Sequence, residues 1–528
     1  METKGRVYRG IVVASLLLLY AVLISFPISM VRSDLGRHLK NGEVILRTHA
    51  VPSTNYYSYT YPDFPFVNHH WGSGVIFFLT EQAFGFVGLS VLLLAVSLLT
   101  FWFFFRTAWK ASSFELAVAS SLAFMPLMMA RLDIRPEMFS YLFMGAFFWL
   151  LVSVRRGDLD WKWLLLLPVS MCVWVNLHIY HFFGLFLIGV FWLESVLDSR
   201  VLKKPSALAP RGLFTAGAAS ALVTLVNPLG LKGALYPLRI FEKYGYTVFE
   251  NQSVVFMLQY ANYPAVPYYI AGVVILVASM FLVARRIARR EEVLAVSNHA
   301  LAVTFGCLAF FMVRNFTAFA YFGFALAAMN LGSSLRWRPQ TLEGYYKSAL
   351  AFVAVFGLTF ASPSFWQGRG GFGLGLDRDT LSAANFLIEE GIEGPIFNNY
   401  DTGSYLIHAL FPGQRVFVDN RPEAYPVEFF EQEYIPMQED GEAWKRALVK
   451  YDFNAIVFNH TDTTSWGQEF LIARVNDPEW APVFVGREMI ILLRNVAKNR
   501  GTIERYPVPR EMFGEAGSAT GSAGSPLR

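Results

Sequence analysis

Residues 11–39 read IVVASLLLLYAVLISFPISMVRSDLGRHL. Ile11 to Met30 is an unbroken apolar run, long enough to cross a hydrocarbon core of about 30 Å. Lys4, Arg6 and Arg9 precede it, and no small-residue cleavage site follows, so it reads as an uncleaved first span and not a signal peptide. The polar stretch that begins at Arg32 then places Asp34 where this helix leaves the membrane. Further apolar runs follow near 84–105, 114–130, 140–154, 164–177, 182–197, 213–227, 268–284, 299–313, 318–333 and 347–364, which gives about eleven spans. Composition says the same. Hydrophobic residues are 54% and charged residues 16% of the 528, where soluble chains hold about 25% charged. The expected fold class is an α-helical polytopic membrane protein.

The balance of Lys and Arg sets orientation. With the N-terminus cytoplasmic, the cytoplasmic segments carry nineteen of them, among them Arg106, Arg155, Arg156, Lys203, Arg285, Arg286, Arg289, Arg290 and Arg338. The opposite short loops carry about ten over a greater length. An odd number of spans then puts the C-terminal region outside. Net charge is only +4 and is dispersed, which argues against nucleic acid as a partner. The two cysteines, Cys172 and Cys307, lie in apolar runs and offer no disulfide framework.

Past residue 366 the composition changes. Residues 367–378 are Gly-rich and read as a linker. Residues 379–500 read as an α/β domain, with strands expected at Pro395–Asn398, Arg415–Asp419, Asn454–Asn459 and Met489–Leu493 and helices at 379–391, 427–438, 441–451 and 465–476. Residues 501–528 are expected to be a disordered tail. The membrane domain is thus 1–366, and residues 31–83 form its long first extracytoplasmic loop.

That loop holds the leading candidate for chemistry. A carboxylate at Asp34 could accept a proton from an acceptor hydroxyl beside lipid-anchored headgroups. Arg37 and His38 add anion-binding and proton-transfer capacity, and His69 and His70 close the loop. Asp also favours the residue before a helix, so a capping role stays open beside the catalytic one. The second extracytoplasmic loop packs Arg131, Asp133, Arg135 and Glu137 between two spans. Its arginines could hold a phosphate, or the four could be an ion-paired turn. Asn176 and His178 sit at membrane depth, where polar groups either face a cavity or tie helices together. Arg314, at the outer end of the ninth span, is a further phosphate candidate. Adjacent His69 and His70 point apart on a strand, and no HExxH pair exists, so no dedicated metal site is expected. No Walker, GxSxG or dinucleotide fingerprint is present, so a reaction here must draw its energy from an activated substrate.

The order of these pieces resembles the GT-C superfamily of membrane glycosyltransferases. The resemblance rests on Asp34, His38-Leu39, Gly42-Glu43, Val51-Pro52, Tyr57-Ser58 and His69-His70-Trp71 in the first loop. It continues through Arg135-Pro136-Glu137, Trp174 to His178, Asn227 to Gly230 and Arg314-Asn315, and through Phe397 to Tyr400, Gly403 to Leu406 and Phe417 to Arg421. It implies transfer of a sugar from a polyprenyl-phosphate-linked donor to a glycan, lipid or protein acceptor, at the extracytoplasmic face of a bacterial inner membrane. Asp34 is the residue that matches the family's base. Two positions depart from the pattern: Asn55 stands where many relatives carry a second Asp, and His70 where many carry Glu. No cofactor is called for with certainty, and the resemblance leaves room for a divalent cation. Two other readings stay open: a catalytically inactive scaffold in envelope-glycan assembly, and a carrier or flippase for lipid-linked glycans. Asp401, Asp419, Arg421 and Glu423 are expected to serve covering or acceptor recognition.

Overall fold

The computed structural model describes residues 2–513 apart from 132, 202, 204–207, 240, 241, 291–294, 336 and 367–370. The chain packs as two compact units, the first made of residues 1–26, 90–237 and 248–374 and the second of 27–89, 238–247 and 375–528.

The first unit is helical, and each of the eleven apolar runs falls on a helix. The early ones are α1 (Glu2–Ile24), α3 (Trp71–Ala111), α4 (Phe114–Met128) and α5 (Glu137–Arg155). The later ones are Leu166–Leu177, Phe182–Val196, Pro210–Val223, Val266–Ala288, Val296–Phe311, Phe316–Ser334 and Leu342–Phe360. Among the described residues six helical segments are long and apolar enough to cross a membrane, α1, α3 and α5 among them. Helix Phe316–Ser334 is buried on all sides from Phe316 to Asn330, as a helix apolar all round must be. Its close packing depends on absent side chains: a Cβ on Gly323 would meet the Phe124 ring at 2.5 Å, and one on Gly272 would meet it at 2.9 Å. A polar pin adds to this, since Arg155 donates to Glu194 Oε1 at 3.0 Å and to Ser297 Oγ at 2.7 Å.

The second unit joins the first loop to the C-terminal region. Its sheet runs β1 (Ile396–Asn398), β2 (Ala455–Asn459), β4 (Met489–Arg494), β3 (Trp480–Val485), with β1 parallel to β2 and the other two pairs antiparallel. Phe66 of the first loop lies in the same apolar cluster as Phe397, Phe417, Trp444 and Phe458. Loop and C-terminal segment therefore share one core, where the sequence reading placed the loop with the membrane domain.

Three other expectations change. Arg415–Asp419 is not a strand of the sheet. Val416 instead forms a single bridge with Ser58, donating to Tyr57 O at 3.1 Å and accepting from Tyr59 N at 3.1 Å. The segment's backbone is satisfied by the distant first loop and by the Asn398 side chain at the end of β1, to which Phe417 N donates at 2.9 Å and which donates to Val418 O at 2.8 Å, and not by ladder pairing. β3 was not anticipated because Pro482 breaks the strand pattern; as an edge strand with a register shift at Pro482 it tolerates the proline. The expected tail contains helix Arg500–Arg505, and Val508 N and Arg510 Nη2 donate to the β3 carbonyls of Pro482 and Trp480. That covers an otherwise open edge. Residues 514–528, like 367–370 of the linker, lie outside the described residues.

Candidate functional site

Helix α2 (Leu35–Thr48) follows Asp34 directly and buries Leu35, Arg37, His38, Leu39, Asn41, Val44 and Ile45 on one amphipathic face. Asp34 occupies the N-cap position with φ −76° and ψ 2°, yet its side chain makes no capping hydrogen bond. Its Oδ1 instead accepts from Asn420 Nδ2 at 2.5 Å. Its Oδ2 lies 3.9 Å from Arg37 Nη2, and the Asp34 side chain stays 27% exposed against 3% for Arg37. Arg37 Nε and Nη1 are buried with no hydrogen-bond partner among the described residues. A buried guanidinium with unused donors is costly unless an anion answers it.

The neighbouring histidines stack on one another. His38 and His70 meet edge to face at 5.4 Å between ring centroids, and His69 lies 3.7 Å from His70. His69 Nδ1 is 3.0 Å from Val67 O. Asn55 is fully buried, and its Oδ1 accepts from Arg421 Nη2 at 2.8 Å. Arg421 forks onto Asp419 through Nε and Nη2, both at 2.6 Å, and lies over the Phe66 ring. Burial would pull Arg421 down, but Asp419 outweighs it and holds the guanidinium charged. These residues do not suit a divalent cation. One oxygen of Asp34 already faces an amide donor, Asn55 faces a guanidinium, and among the described residues no group of three or more His, Cys, Asp or Glu could hold a metal ion.

Close by, burial pushes the Glu423 carboxyl up, against the opposing pull of Arg37 and Arg421. Burial also raises the Tyr400 phenol well above its ordinary value, helped by the carboxylates of Glu423, Asp401, Asp34 and Asp419. Tyr246, from the 238–247 segment, stacks on Tyr400 at 4.1 Å. Sequence reasoning gave no role to Tyr246 or to Asn420. Asn420 enters the sequence reading only within the Phe417 to Arg421 run of the resemblance, and its partner lies 386 residues away.

In the first unit, Arg131, Asp133, Arg135 and Glu137 do come together, with Glu250 at their centre. Arg131 pairs with both Glu137 and Glu250. Arg135 donates to Glu250 Oε1 at 2.9 Å and lies 3.5 Å from Asp133. Burial alone would raise the Glu250 carboxyl, but Arg131, Arg135 and Arg314 hold it far below the usual carboxylate range. Arg314 donates to Asn251 Oδ1 at 2.9 Å, lies over the Tyr180 ring, and has no hydrogen-bond partner for Nε among the described residues. A narrow cleft beneath is lined by Tyr20, Ser97, Arg131, Glu137, Tyr141 and Tyr321. Glu250 escaped the sequence reading because 238–262 has no clear apolar period. Asn176 and His178 tie helices together: Asn176 Nδ2 donates to Cys172 O and Val226 O, and His178 Nδ1 lies 2.8 Å from Ser140 Oγ.

No family model matches the chain, and no curated protein does. Three solved structures are similar to it. The archaeal oligosaccharyltransferase AglB from Archaeoglobus fulgidus, in complex with an inhibitory peptide and a dolichol-phosphate, is 10% identical with a TM-score of 0.58, over 90% of this chain and 74% of that one. ArnT from Cupriavidus metallidurans, bound to undecaprenyl phosphate, is 11% identical with a TM-score of 0.53, over 96% of this chain and all of that one. A mutant of the arabinofuranosyltransferase AftD from Mycobacteria is 14% identical with a TM-score of 0.51, over 92% of this chain and 41% of that one. At such identities the likeness shows the fold alone, a GT-C-like one shared with these three structures.

Proposed function

We propose that the chain is an integral membrane glycosyltransferase that moves a sugar from a polyprenyl-phosphate-linked donor to an acceptor hydroxyl at the extracytoplasmic face. The observation that carries this reading is Asp34: a carboxylate part-open to solvent, unused as a helix cap, and one helical turn from a buried guanidinium with unused donors. Asp34 Oδ2 takes the proton of the acceptor hydroxyl as that oxygen bonds to the anomeric carbon. The bond from that carbon to the phosphate oxygen breaks, and polyprenyl phosphate leaves with the electron pair. A single displacement inverts the anomeric centre, which is what the family resemblance implies. Arg37 keeps two guanidinium donors, Nε and Nη1, for phosphate oxygens. The dolichol-phosphate on AglB and the undecaprenyl phosphate on ArnT support a lipid-phosphate donor here. The acceptor is a glycan, a lipid or a protein.

Mass spectrometry of lipid extracts tests this in host cells carrying the wild type, Asp34→Asn, or no copy. Loss of a general base lowers turnover by about 100- to 10,000-fold. A polyprenyl-phosphate sugar is therefore expected to build up in both the Asp34→Asn and the deletion strains. If the deletion accumulates it and Asp34→Asn does not, the base assignment fails, and a scaffold or carrier role replaces it.

A further inference from the structure

We propose that Asn420 is a positioning residue for Asp34, which makes the C-terminal α/β segment a working part of the catalytic centre and not a cover over it. The inference rests on the reading of Asp34 as the base and adds the residue that aims it.

Helix Gly403–Leu410 is the plate on which both groups are mounted. On one side, Ser404 Oγ accepts from Arg37 N at 3.0 Å, and a Cβ on Gly36 would meet Ser404 O at 2.4 Å. The first turn of α2 is thus seated on this helix through backbone contact. On the other side, a Cβ on Gly403 would meet Val418 O at 2.3 Å and Asp419 Cα at 2.4 Å, so the 418–421 loop lies on the same helix.

The loop is also held from within. Asp419 N donates to Tyr425 Oη at 3.0 Å, the Asp419 side chain pairs with Arg421 in a fully buried fork, and Arg421 reaches Asn55. Pro422 fixes the backbone that follows. Asn420 is bracketed by these anchors, and its Nδ2 reaches Asp34 Oδ1 at 2.5 Å.

This has a chemical consequence. A carboxylate free to turn about its Cβ–Cγ bond presents either oxygen to a substrate. With Oδ1 held by an amide donor, Oδ2 is the oxygen left to accept a proton, and Arg37 at 3.9 Å is too far to hydrogen-bond it. An amide also donates without itself titrating. Holding a reacting group in one geometry is a known source of rate.

The test uses full-length protein in the deletion host, with donor-lipid turnover read by mass spectrometry and folding read by thermal unfolding of the purified protein. Asn420→Leu keeps the branched shape and removes the donor; turnover is expected to fall about 10- to 100-fold, the loss of one hydrogen bond to a charged group. Asn420→Gln keeps an amide and is expected to recover part of that loss. Wild-type turnover in a folded Asn420→Leu protein overturns the proposal, as does a Gln variant no better than Leu. If Asn420→Leu does not fold, a cycle of Asp34→Asn, Asn420→Asp and the double variant decides. The double variant restores one amide facing one carboxylate, so it is expected to unfold at a higher temperature than Asn420→Asp, where two carboxylates meet. No recovery means no direct pair, and the proposal falls. Wild-type donor levels in Asp34→Asn alone would sink the base reading, while the cycle still judges the pair.

Discussion

Two polar clusters built from the same residue types end differently. In the membrane unit, three arginines, Arg131, Arg135 and Arg314, face three acids, Asp133, Glu137 and Glu250, and most charges there are matched. In the α/β unit, Arg421 is matched by Asp419, but Asp34 is answered by the neutral amide of Asn420, and Arg37 keeps two guanidinium nitrogens without a partner. Folding rewards closure, because an unanswered buried charge is expensive. A folded chain that leaves a carboxylate oxygen and a guanidinium open side by side has set them apart for something other than stability.

The comparison breaks most easily at its closed half. Asp419→Ala leaves Arg421 buried without a counter-charge and is expected to cost about 3–5 kcal/mol. Thermal or denaturant unfolding of the purified protein reads this, and Asp419→Leu with Arg421→Met should lose less than Asp419→Ala alone. A cost near zero would mean the Asp419–Arg421 fork is not the anchor described. Next in size is Gly403→Ala. Its methyl group needs space held by Val418 O and Asp419 Cα, so an overpacking cost of about 1–3 kcal/mol is expected, with donor lipid accumulating as the Asn420 loop moves.

The smallest effects carry opposite signs in the two regions. Glu250 titrates below its ordinary value in the folded protein, so it adds stability above the ordinary carboxylate range and loses it as pH falls through the depressed value. Glu250→Gln should therefore lower the unfolding temperature at pH 7 and make no difference in strong acid. Glu423 is raised, so its penalty is absent in acid and grows as pH rises from the ordinary carboxylate value to the raised one. Glu423→Gln should raise the unfolding temperature at pH 7 and leave it unchanged in acid. Shifts of the same sign in both variants would erase the distinction between the clusters.

What was legible in the sequence follows the range of the interactions. The apolar runs locate eleven helices because hydrophobic periodicity is local, and Asp34 stands out as the first carboxylate after the first of them, although that helix ends at Ile24 and Asp34 lies at the start of α2. Arg415–Asp419 has the composition of a strand, but its partners include residues 57–60 of the first loop and the Asn398 side chain, which no local pattern announces. Asn420 is hidden in the same way. Asn, Asp and Pro are ordinary turn residues, and only the folded chain gives that turn an Asp34 to meet. Glu250 and Tyr246 lie in a stretch of short turns where a lone acid and a lone aromatic carry no signal. The departure at Asn55 gains a physical reason from Arg421, since a neutral oxygen suffices where Asp419 already supplies the charge.

The separation of 386 residues between Asp34 and Asn420 also sets a schedule. At roughly 5–20 residues per second, the ribosome takes about 20–80 s between making one and making the other. Throughout that interval the first loop is without the segment that completes its core. A chain still being made thus holds Asp34 but not the amide that meets it. The Asp34–Asn420 pair forms only once the 418–421 loop has been made, so a chain cut short before that point leaves the first loop without its core partner.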